Sequence, residues 1–81
     1  MVSAKELLRT YHTRIGMQER GVTNPPEAVK EFCLLLVREL QTLPPQAEVE
    51  YVNRGSDGYD FVAEGLVLAT LPQHENLNDY T

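Results

Sequence analysis

The pair Pro44-Pro45 splits this 81-residue chain into two segments that cannot share a regular element. Each proline lacks an amide donor and disfavours helical backbone in the residue before it. Upstream of the pair, apolar residues recur at helical spacing; downstream they alternate, as in a strand. A chain divided in this way builds helices first and a sheet second.

Ser3-Ala4-Lys5-Glu6 has the S-x-x-E form of a capping box, in which a hydroxyl and a carboxylate satisfy amides orphaned at a helix start. It predicts a helix over residues 4–20, stopped by Gly21 and weakened near its end by Gly16, which costs about 1 kcal/mol relative to alanine. Ala4, Leu7, Leu8, Tyr11 and Ile15 share one face of that helix, whereas Lys5, Arg9, His12 and Arg20 share another. Thr23-Asn24-Pro25-Pro26-Glu27 predicts a second start, with Asn24 as the cap and the prolines in the first turn. This second helix runs to residue 40 or 41, with Val29, Phe32, Cys33, Leu36, Val37 and Leu40 on its core face and Ala28 and Leu35 at the margin. Leu34 falls instead among Glu27, Lys30, Glu31 and Arg38. A leucine there is either an ordinary isolated exposure or part of a contact between chains.

After the prolines, Ala47, Val49 and Tyr51 alternate with Glu48, Glu50 and Val52, and Tyr59, Phe61 and Ala63 alternate with Asp60, Val62 and Glu64. Two strands follow, joined by the Gly- and Asp-Gly-containing loop 54–58. Glu64-Gly65 is read as a turn into a third strand over residues 66–71, with a bulge in a longer second strand as the alternative. The expected fold is α+β, two helices packed on one face of a three-stranded antiparallel sheet in the order ααβββ. Residues 1–72 form this single domain, and residues 73–81 are expected to be a mobile tail.

Such a domain has little stability to spare. Hydrophobic residues make up 42% of the chain, enough for one small core. Domains of this size often reach only about 3–5 kcal/mol without a disulfide, metal or partner. Cys33 is the only cysteine, and no Cys/His cluster suits zinc, so association remains as a source of extra stability. No segment has the length and apolarity of a signal peptide or a membrane span, so the expectation is a cytosolic protein without membrane contact.

Charge is segregated along the chain. Residues 1–40 hold Lys5, Arg9, Arg14, Arg20, Lys30 and Arg38 against Glu6, Glu19, Glu27, Glu31 and Glu39, a balance of +1. Residues 41–81 hold Arg54 against Glu48, Glu50, Asp57, Asp60, Glu64, Glu75 and Asp79, a balance of −6. If the hairpin closes between Asn53 and Tyr59, Tyr51 pairs with Phe61 on the buried side. Glu48, Glu50, Asp60 and Glu64 then surround Val52 and Val62 on the open side, with Glu48 opposite Glu64 at a small repulsive cost. An apolar centre ringed by like charge suits a basic protein partner, although charged outer faces also serve only to keep sheets from aggregating.

The competing chemistries are thinner. Lys5, Arg9, His12 and Arg20 form a basic stripe, but the net charge of −5 opposes nucleic acid, and Tyr51, Tyr59 and Phe61 are expected to face the core rather than stack on bases. The stripe could instead meet the acidic face of a neighbouring copy. Residues 53–64 match an EF-hand loop at the first, fifth, sixth and twelfth positions, but Gly55 cannot act as the third-position ligand and the flanks alternate like strands. Cys33, on a core face with no histidine placed to activate it, is expected to be inert. Asp60 and Glu64 on an open sheet are not desolvated enough for acid–base work. The sequence therefore predicts no enzyme, cofactor or metal site. It predicts a small acidic protein-binding module, acting as an inhibitor, immunity-type partner or adaptor through Glu48, Glu50, Val52, Asp60, Val62 and Glu64. The alternative is a homo-oligomeric subunit assembled through Leu34 and Leu35.

Overall fold

A computed structural model describes residues 1–72. The elements are β1 (Val2–Ser3), α1 (Ala4–Glu19), α2 (Glu27–Leu40), β2 (Glu48–Asn53), a 3-10 turn (Gly55–Asp57), β3 (Tyr59–Ala63) and β4 (Leu66–Leu71). The α+β class and the two leading helices are as expected. The sheet, however, has four antiparallel strands in the order β1-β2-β3-β4, not three. The added strand follows from the cap itself. An N-cap residue must be non-helical, and Ser3 is extended, with φ −78° and ψ 153°. Val2 and Ser3 continue that extension alongside Val49 and Glu48. The Ala4 and Lys5 amides donate to the carbonyls of Ala47 and Pro45, at 2.7 and 3.0 Å. Those bonds fasten the start of α1 to the chain that follows the double proline.

Ser3 Oγ accepts from the Glu6 amide at 3.2 Å. At the other end of α1, the Gly21 amide donates to the Gln18 carbonyl and the Val22 amide to the Met17 carbonyl, the paired bonds of a Schellman motif. Gly21 takes the left-handed φ of 74° that this motif requires. Asn24 does not cap α2. Pro26 occupies the cap position, its carbonyl accepting from the Val29 and Lys30 amides. The residue before a proline resists helical backbone, which keeps both Asn24 and Pro25 out of the helix.

The hairpin closes in the expected register, with Glu50, Tyr51, Val52 and Asn53 opposite Val62, Phe61, Asp60 and Tyr59. Ala63 and Leu66 then flank a two-residue turn in which Glu64 (φ 53°) and Gly65 (φ 77°) are both left-handed, the backbone of a type I′ turn. Glu64 therefore leaves β3 before it can sit opposite Glu48, and the expected repulsive pair does not form within the ladder. A bulge does occur, but in β4. Phe61 pairs with Ala69 and Val62 with Val67, leaving Leu68 as the extra residue. Leu68 and Ala69 both turn inward as a result.

All six residues of the α2 core face are buried, and they join Ala4, Tyr11, Val49, Phe61, Ala63, Leu68, Ala69 and Leu71 in one core. Tyr11, Phe32 and Phe61 meet with centroids 5.3–6.1 Å apart, two of the three pairs edge to face. Helix–sheet contact concentrates where α2 crosses β4 and where α1 meets β1. Neither helix covers the far end of β2, and Tyr51, although on the core side of the sheet, is 56% exposed. It stacks on Tyr59 at 5.1 Å instead of packing under a helix. The expected tail, residues 73–81, lies outside the described residues. Among the described residues no helix is long and apolar enough to cross a membrane.

Candidate functional site

With both helices on one side of the sheet, the other side carries the residues that alternation directs outward. Pairing arranges them in cross-strand rows, Glu50–Val62–Val67 and, next to it, Val52–Asp60–Thr70. Glu48 precedes the first row on β2, and Glu64 stands in the turn after β3. The structure thus gathers five of the six residues expected to contact a partner around one apolar strip, and places the sixth differently.

Asp60 is the exception. Only 5% exposed, it is the one buried charged residue among those described. Thr70 Oγ1 donates to its Oδ1 at 2.7 Å, and Arg54 Nη1 donates to its Oδ2 at 3.0 Å. Arg54 also lies 4.0 Å from Asp57. A buried carboxylate needs such bonds, because desolvation without them costs several kcal/mol. Asp60 is therefore an internal clamp on the 54–58 loop and not a contact offered to solvent. The loop that resembles an EF-hand site uses its groups internally. Asn53 Oδ1 accepts from the Gly55 amide at 2.8 Å, and Arg54 supplies the cation beside Asp57 and Asp60. No cluster of metal-binding side chains forms among the described residues.

Glu48, Glu50 and Glu64 are different: all three are exposed and none has an ion-pair partner among the described residues. They line an open depression of about 440 Å³ with Met1, Ala47, Val62, Ala63 and Gly65. Carboxylates without an ion-pair partner among the described residues are thus concentrated at the end of the outer face where β2 begins and β3 turns. At the opposite end, Arg54 offsets the carboxylates.

The remaining sequence candidates lie elsewhere. Lys5, Arg9, His12 and Arg20 are all exposed on or just beyond α1. Leu34 and Leu35 are 58% and 38% exposed on α2. Cys33 is fully buried; desolvation raises its thiol pKa, while Gln18 Nε2, 3.9 Å from Sγ, opposes the shift. Two features escaped the sequence. Exposure of Tyr51 depends on how far the helices reach, which no periodicity reports. Thr70 faces outward beside Asp60 because of the bulge at Leu68, for which the run Leu66 to Leu71 carries no signal. Comparison with protein-family models, curated proteins and solved structures finds no match.

Proposed function

We propose that this protein acts by binding a basic protein surface through the outer face of its sheet, as an inhibitor, immunity-type partner or adaptor. The observation that carries the reading is the gathering of Glu48, Glu50 and Glu64, none with an internal ion-pair partner among the described residues, around exposed or half-buried valines. Carboxylates with no internal partner attract and orient a cationic surface, while the apolar strip supplies contact area. Asp60 drops out of the contact set, leaving Glu48, Glu50, Val52, Val62 and Glu64. The test is affinity capture from the native host with wild type and with Glu48→Lys/Glu50→Lys. Both sites are exposed, so the variant should fold and lose its partner. Capture unchanged by the double reversal would refute the acidic face.

A second reading rests on Leu34, 58% exposed among charged neighbours, with Leu35 beside it. Burying α2 against a copy would cover both. Light scattering decides: a mass rising with concentration, and lowered by Leu34→Glu, is the expected result, and a concentration-independent monomer removes this reading.

A further inference from the structure

The depression on the acidic face is not uniformly polar. Met1, 82% exposed, and the half-buried Val62 line it beside the glutamates, and Val67, 55% exposed, pairs with Val62 on the same face. A purely hydrophilic cationic surface would satisfy the carboxylates and leave this apolar area without a counterpart. A purely apolar partner would strip water from three carboxylates and leave them unpaired, a cost of several kcal/mol each. One kind of occupant meets both requirements. We infer that the depression seats a single apolar side chain from a basic protein segment, whose flanking lysines or arginines reach Glu48, Glu50 and Glu64. This rests on the acidic-face reading and adds to it the chemistry of the partner.

A second copy of this chain is the obvious competitor, since α1 presents Lys5 and Arg9. It does not match. Neither helix offers both parts: α1 carries Lys5 and Arg9 but none of the large exposed hydrophobic residues, and Leu34 on α2 is flanked by Lys30 and Arg38, which are already paired with Glu27 and Glu39. The volume of about 440 Å³ lies within the roughly 300–1,000 Å³ of ligand clefts, enough for one anchor rather than an extended apolar surface.

The experiment compares two short lysine-rich peptides of equal charge, one with a central leucine and its twin with serine there, titrated into the full chain and followed by NMR. The leucine peptide should bind about tenfold more tightly, or ~1.4 kcal/mol, a fraction of what full burial of a leucine contributes. Shifts should centre on the Val62, Ala63, Gly65 and Leu66 amides. Glu48→Lys/Glu50→Lys should weaken both peptides, and Val67→Ser only the leucine peptide, with thermal melts confirming that each variant folds. Equal affinity for the two peptides overturns the anchor while leaving the acidic face standing, provided the charge reversals still weaken both. Leucine-peptide binding indifferent to charge reversal overturns the acidic face as well. Binding of neither peptide rejects both ideas. Concentration-dependent shifts at the same amides without peptide would identify a second copy as the occupant and overturn the proposal.

Discussion

Asp60 shows how much one side chain can depart from its position in a pattern. Alternation directs it outward, and outward from the sheet is where it goes, yet Arg54 and Thr70 enclose it. The sequence carries no sign of this. Arg54 reaches it around a tight loop, and Thr70 arrives opposite it only because a bulge resets the register of β4. Hydrogen bonds to charged groups contribute about 1.5–3 kcal/mol each in favourable settings, and the half-exposed Arg54 places its bond toward the lower end. Asp60→Ala should therefore destabilise the domain by about 2–3 kcal/mol, and Thr70→Val by about 1 kcal/mol, in urea melts. Double-mutant additivity would contradict a shared network, since residues joined by one carboxylate couple. Glu48 and Glu50, with no such partners among the described residues, should tolerate alanine within about 0.5 kcal/mol. That contrast separates the clamp from the proposed docking groups at the level of single side chains.

Elements were more legible than residues because their signals are summed over many positions. The core face of α2 emerged complete from its periodicity, and the β2–β3 register followed from placing Tyr51 against Phe61. The errors fall at boundaries, where one local preference displaces another: the helix-resisting effect of Pro26 on Pro25 removes Asn24 as a cap, and the extended cap at Ser3 adds β1. The Glu64-Gly65 turn was legible as a turn, but not the backbone strain in it. A type I′ turn holds both central residues at positive φ, and Glu64 has φ 53°, a region costing a side-chain-bearing residue about 1–2 kcal/mol and asparagine less. Glu64→Asn should therefore stabilise the hairpin by up to about 1 kcal/mol, raising the melting temperature by about 4–8 °C for a domain of this size. An unchanged or lowered melting temperature would mean that Glu64 makes a compensating contact. The same variant removes one carboxylate from the proposed docking face, so stability and partner affinity should move in opposite directions.

At the scale of the whole molecule, the two layers enclose an aromatic cluster whose ionisation is opposed by burial. Tyr11, 4% exposed, packs edge-on to Phe32 and Phe61. Desolvation pushes its phenol well above the ordinary value of 10.0, only partly countered by Arg14, whose guanidinium lies over the ring at 5.6 Å. Cys33, in the same core, is also raised by burial, from 9.0. These are acids whose folded pKa exceeds the unfolded one, so the folded state favours the neutral form. Their contribution is fully present below the unfolded pKa and is lost as pH rises through it toward the folded value. Stability should thus decline from about pH 9 as Cys33 begins to titrate in the unfolded chain, and more steeply above about pH 10. The Tyr11 share approaches about 1.4 kcal/mol per pH unit while the unfolded phenol is ionised and the folded one is not. Tyr11→Phe keeps the ring contacts and the Cys33 contribution but removes this proton. Its urea midpoint should stay near wild type at neutral pH and then fall less steeply than wild type above about pH 10. Parallel declines for the two proteins would mean that Tyr11 ionises outside the core, through local opening at the far end of β2, where Tyr51 and Tyr59 stack.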